Sequence, residues 1–266
     1  MNILQILDKL SDDKFYSQKA SRFDALNGIT NFSKKAALAA IPLGLGSLLT
    51  TKANANNSTT FAKSNLSNAL QLALTLEYLE DEYYRIGLDA AGLIPNNDRS
   101  VFMQISKHET AHVAFLKSAL TSLGEIPIAK PTFDFTAGGN FNPFTDYNQF
   151  LILAQAFEDT GVRAYKGQAG NVMGNQQILQ AALQIHAVEA RHASQVRRMR
   201  GNKGWIELDN GGNMPAATNA VYANEDNINQ AGFNTSMLFG NEAGSAAFDE
   251  VLSGSDATTI ASLFIV

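Results

Sequence analysis

The chain has four histidines, His108, His112, His186 and His192, and all of them lie in two short stretches, "HETAH" and "HAVEARH". Each stretch holds a glutamate three residues before a histidine: Glu109 with His112, and Glu189 with His192. Residues three apart on an α-helix share a face, so each pair offers a carboxylate and an imidazole to one point in space. Two such helices can clamp two metal ions. Read alone, "HETAH" also fits the HExxH motif of a zinc hydrolase, with His108 and His112 as ligands and Glu109 as general base. That reading leaves Glu189 and His192 without a role.

A two-metal site held by carboxylates needs one more acidic ligand from each of two further helices. Glu77 in "LTLEYLEDEYY" and Glu158 in "AQAFEDTGVRAY" supply them, each set in an apolar stripe where an unpaired carboxylate is costly to bury. Glu109 and Glu189 are then the expected bridges, Glu77 and Glu158 the terminal ligands, and His112 and His192 serve one metal each. An internal repeat supports the choice. Tyr84 follows Glu77 by seven residues as Tyr165 follows Glu158, and the steps from Glu77 to Glu109 and from Glu158 to Glu189 are 32 and 31 residues. The two hairpins thus read as two copies of one half-site. Four carboxylates and two neutral imidazoles neutralise two divalent ions, and mixed oxygen and nitrogen donors suit iron or manganese. The absence of cysteine excludes thiolate sites, iron–sulfur clusters and disulfides.

Tyr84 and Tyr165 lie two turns, roughly 10 Å, along the helix from their glutamates; they are read as neighbours of the ligands or radical quenchers, with an ordinary core role as the alternative. Asp81 and Asp159 are read as hydrogen-bond partners that orient the ligand imidazoles. Glu80 and Glu82 read as a solvated face, Glu80 being the substitute should Glu77 not ligate. His108 and His186 read as groups behind the ligands or on the surface.

The elements that must carry these residues follow from periodicity. With 266 residues and 45% hydrophobic content, one main domain is expected. The net charge of −5, without a basic stripe, argues against nucleic acid as a partner. A first long helix from about Phe61 places Ala69, Leu72, Leu76, Leu79 and Tyr83 on one face. A second runs from about Asp98 to Leu123, stopped by Gly124. An irregular connection over 124–144 follows, then a third helix capped by Thr145 and reaching about Ala169, and a fourth from Asn175 to Met199 before Gly201. The expected fold is all-α: a four-helix bundle over residues 61–201 with one long crossover between helices 2 and 3. Residues 202–266 form an extension packed on it, with a short helix after Ser255 and Asp256. Residues 1–55 read as a leader. Lys34 and Lys35, an apolar run of 14 residues and the small-x-small Ala53-Asn54-Ala55 make a secretory signal cleaved near Ala55. The run is too short for a stable membrane span. An exported protein, periplasmic or extracellular, is expected; a cytoplasmic one with an uncleaved leader is the alternative.

The series Glu, Glu-x-x-His, Glu, Glu-x-x-His over residues 61 to about 200 resembles the ferritin-like proteins, and within them the bacterial ferritin-like-domain group that includes the desiccation-related proteins. "VYANEDNINQAGF" and "AAFDEVL" look like that group's C-terminal motifs. The resemblance implies a ferritin-like bundle with a di-iron or di-manganese centre. Such a centre reacts with O₂ or peroxide in an oxidase or peroxidase type of activity, or handles iron in stress protection. A stress-protective structural protein with a silent metal site is the alternative. A homodimer is an assembly open to such a chain; a ferritin-type cage is disfavoured by the leader and the extension.

Overall fold

The computed structural model describes residues 55–266, with side chains from Asn65 onward. The expected export signal lies outside the described residues, apart from Ala55 at its end. Four long helices dominate: α1 (Ala55–Asp89), α2 (Asn96–Ser122), α3 (Tyr147–Val172) and α4 (Gln176–Met199). Short helices α5 (Asn219–Tyr222), α6 (Ser236–Phe239), α7 (Asn241–Ser245) and α8 (Gly254–Ser262) follow, with a two-stranded antiparallel hairpin between α5 and α6. Among the described residues no helix is long and apolar enough to cross a membrane.

Two of the long helices, α2 and α4, stop where the chain changes handedness. Gly124 and Gly201 take φ of +77° just beyond α2 and α4, a left-handed conformation that costs glycine little. The caps differ in detail from the sequence reading. Asp146, not Thr145, caps α3 by accepting from the amides of Asn148 and Gln149; the Thr145 hydroxyl turns back to the Asn142 carbonyl. The last helix begins at Gly254, before Ser255 and Asp256 and not after them, because Ser253 caps it through the Asp256 amide.

The main packing pairs are α1 with α2, α3 with α4, and α1 with α3. Gly87 faces the Phe150 ring at one end of the α1–α3 contact, and Ala69 lies in one apolar cluster with Val172 at the other, so these two helices run antiparallel. α2 and α4 barely touch. Two apolar clusters close the bundle on either side of its centre. One is aromatic, with Tyr83 stacked on Phe150 at 4.9 Å and edge-on to Phe157. The other holds Leu70, Leu74, Leu116 and Leu120. Each fully buried side chain of this size contributes roughly 1.5–3 kcal/mol. Between the clusters sits a layer of carboxylates and imidazoles.

The extension is docked by polar contacts as well as by α8. The Arg163 guanidinium on α3 reaches the carbonyls of Val221, Ala223 and Glu250 and pairs with Glu225 at 2.6 Å, both partners being buried. The crossover is fastened further along, where the Asp134 amide bonds the Phe264 carbonyl and Phe133 bridges Ile265.

Candidate metal centre

α1 brings Glu77, α2 Glu109 and His112, α3 Glu158, and α4 Glu189 and His192, all to one layer. The four carboxylates are fully buried. Two overlapping ligand groups result: Glu77, Glu109, His112 and Glu189, and Glu109, Glu158, Glu189 and His192, with ligand atoms within 4.8 Å of one another in each. Glu109 and Glu189 belong to both. Each divides its two oxygens between the groups: Glu109 Oε2 lies 3.0 Å from His112 Nδ1 and its Oε1 3.0 Å from His192 Nδ1. Glu189 Oε1 lies 2.9 Å from His112 Nδ1 and its Oε2 3.2 Å from His192 Nδ1. Glu77 meets His112 alone and Glu158 meets His192 alone, both at 3.2 Å.

Burying four carboxylates together is unfavourable without cations. In the metal-free chain the imidazoles take that part. Burial acts to lower the His112 imidazole, but the adjacent carboxylates of Glu109, Glu189 and Glu77 overrule it and push it up to about 12. His192 is driven up in the same way, against burial, by Glu158, Glu109 and Glu189. Acidic groups still outnumber the two imidazolium ions. Burial, then repulsion from Glu189, holds Glu109 well above the usual carboxylate range, and burial raises Glu158 to about 7 although His192 pulls it down. Glu109 Oε1 and Glu189 Oε1 lie near imidazole nitrogens but out of line for an N–H···O bond, and both are buried without a hydrogen bond. Divalent cations fit this donor set: hard oxygens with two imidazoles, excess negative charge and two unsatisfied bridging oxygens.

The two tyrosines reach the ligands across the bundle. Tyr84 donates to Glu158 Oε1 and Tyr165 to Glu77 Oε1, each at 2.5 Å. The antiparallel α1–α3 pairing is the cause, since it sets each tyrosine beside the other helix's glutamate. The carboxylates expected to orient the imidazoles do something else. Asp81 accepts from the Thr110 hydroxyl on the exposed side of α1 and α2. Asp159 pairs with Arg197 and accepts from Tyr222 at 2.8 Å, in a buried network that joins α3 and α4 to the extension. It points away from the metal layer because neighbouring positions on a helix face different directions.

Glu80 is not on a solvated face. It is 2% exposed and lies among Glu77, Glu109, Glu158 and Glu189; burial, then those carboxylates, holds its proton on well above the usual range. Gly161 makes room for it, since a Cβ there would sit 3.3 Å from Glu80 Oε1. The signal in the sequence was its position three residues after Glu77, on the same helical face. Glu82 is the partly exposed one and pairs with Arg85 and Lys130. His108 lies in neither ligand group; its Nδ1 is 2.9 Å from His192 Nε2 and its Nε2 2.7 Å from the Gln104 amide nitrogen. Burial, then the neighbouring His192 and His112, keeps it below the usual imidazole range. His186 is half-buried on α4 outside both groups and is lowered chiefly by burial.

No curated protein matches the sequence. The model of the ferritin-like domain matches residues 66–202, a span that includes Glu77, Glu109, His112, Glu158, Glu189 and His192. The chain belongs to the ferritin-like domain family.

Proposed function

We propose that the chain holds two iron or manganese ions between its helical hairpins and uses them to react with O₂ or peroxide or to handle iron. The observation that carries this reading is the pair of ligand groups sharing Glu109 and Glu189, each of which turns one oxygen to either side. Glu77 and His112 would complete one metal position, Glu158 and His192 the other. When bound, a redox-active pair supplies electrons to an oxidant. The protein's part is to hold the carboxylates in place. Tyr84 and Tyr165 anchor Glu158 and Glu77 by one oxygen each and leave the other facing the imidazoles. Glu80 lies buried beside the ligand carboxylates. The aromatic cluster around Tyr83 and Phe150 and the leucines of the opposite cluster exclude water from both ends. The zinc-hydrolase reading requires His108 and His112 on one ion, and no such grouping occurs among the described residues.

The test is elemental analysis of protein loaded anaerobically with Fe²⁺ and desalted, with manganese and zinc counted in the same run. The reading expects about two iron or manganese ions per chain, lost together in Glu109→Ala and in Glu189→Ala, because each variant removes a ligand from both positions. No metal in the wild-type chain would move the weight to a stress-protective structural role with a silent site. Export of the mature chain belongs to the same proposal, and the N-terminal residue of the protein recovered from cells tests it.

A further inference from the structure

The two hairpins repeat each other around the centre, and the places where they do not repeat make its two halves different. A shift of 80 residues carries Glu109 to Glu189 and His112 to His192; the same shift carries His108 to Val188. One ligand imidazole therefore has another imidazole behind it, whereas the residue that corresponds to His108 in the second hairpin is Val188, whose aliphatic side chain can neither donate nor accept.

The contact is a hydrogen bond in geometry. His192 turns Nδ1 to the carboxylates and Nε2 to His108 Nδ1 at 2.9 Å. The rings are 9° from parallel with centroids 5.1 Å apart. That separation is the N···N distance plus one ring radius at each end, so the rings lie end to end and not face to face. An imidazole that ligates through Nδ1 carries its proton on Nε2, and an acceptor in line with Nε2 fixes both that tautomer and the plane of the ring. His108 Nδ1 is that acceptor. Its own Nε2–H then donates to Gln104, whose amide presents oxygen after a half-turn. The bond also joins α2 to α4, two helices whose backbones stay apart and which otherwise meet through the carboxylate and imidazole layer.

We infer that His108 is a positioning residue for His192, and that through it the Glu158–His192 metal position is held more firmly than the Glu77–His112 position. The inference rests on the two-metal reading above. It is tested on the full chain loaded with Fe²⁺, by following iron release to an excess of ferrous chelator under anaerobic conditions. The wild type should release its iron in two phases of equal size. His108→Ala should speed the slower phase about 10–100-fold and leave the faster one unchanged, the usual range for loss of a hydrogen-bond partner behind a metal ligand. His108→Asn keeps an acceptor near the Nδ1 position and should restore most of the difference. Equal acceleration of both phases, or release from His108→Ala at the wild-type rate, overturns the inference. A second measurement needs no metal. In metal-free protein with ¹⁵N-labelled histidine, the His192 Nε2–H should give a slowly exchanging downfield signal in wild type and His108→Asn, and lose it in His108→Ala. If that signal survives in His108→Ala, His108 does not hold His192. If the wild type takes up no iron while this signal behaves as described, the two-metal reading fails and the hydrogen bond from His192 to His108 stands.

Discussion

On the proposed reading, filling the centre must expel protons, and the charge states of its residues set about how many. In the metal-free chain His112 stands at about 12 and His192 is raised in the same way, so both rings are doubly protonated at neutral pH. Each must give up its Nδ1 proton before that nitrogen can ligate. Burial and Glu189 raise Glu109 as well, so any proton it holds must also leave. Glu158, at about 7, contributes about half of one at pH 7. The imidazoles and Glu158 alone account for roughly two to three protons per chain at pH 7, of which the two from the imidazoles persist as the pH rises to 8. Linkage converts this count into affinity. Apparent affinity for the pair of metals should rise at least about a hundredfold per pH unit near neutrality. Calorimetric titration with Mn²⁺, repeated in two non-coordinating buffers of different ionisation heat, reads the proton count directly. Release of fewer than one proton per chain at pH 7 would refute the argument that protonated imidazoles stand where the metals go.

Three further outcomes follow from the same contacts. Tyr84→Phe removes the donor from buried Glu158 and Tyr165→Phe the donor from Glu77; each should lower the stability of the metal-free chain by about 1–3 kcal/mol in chemical denaturation, and an unchanged midpoint would show that the hydroxyls carry no load. Glu80 has its pKa raised in the folded state, so its contribution is most favourable below the unfolded carboxylate pKa and is lost as pH rises through the folded value. The metal-free protein should accordingly melt at lower temperature at pH 8 than at pH 5.5, and Glu80→Gln should lessen that fall while still binding two metals; an equal fall in both proteins would exclude Glu80 as a source. Arg163→Met leaves Glu225 buried without its guanidinium, a change that costs about 3–5 kcal/mol. Limited proteolysis should then cut within residues 202–253 first, and a cleavage pattern like that of the wild type would argue against Arg163 as the fastening of the extension.

The residues of the buried acidic and imidazole layer were legible because their two parts obey simple rules. Glu-x-x-His is the spacing of one helical face, and a glutamate inside an apolar stripe has to meet a partner. The tyrosines were harder to place. Spacing along a helix ties Tyr84 to Glu77, whereas the hydrogen bond goes to Glu158 on another helix, and only the antiparallel approach of α1 and α3 decides that. Glu80 was misread because "EYLEDEYY" is acidic on several faces, and the space for a buried carboxylate is provided by Gly161 far along the chain. Asp159 was misread because its partner Tyr222 belongs to the weakly periodic extension. The Thr145 cap was misplaced by one residue between two good capping types, and Asp146 has the oxygen that reaches the first free amides.

α3 is covered on nearly every side, by the bundle on one and by the extension on the other, whereas α2 buries a single stripe. Opening is therefore polarised. Amide hydrogens of α3 should be among the last to exchange with solvent, since releasing them requires the extension to peel away as well. α2, with Glu109 and His112, can loosen at much lower cost. Such a molecule has a fixed wall and a door. Glu158 belongs to the wall and Glu109 to the door, so local opening of the carboxylate layer should begin from the α2 side while the rest of the fold remains closed.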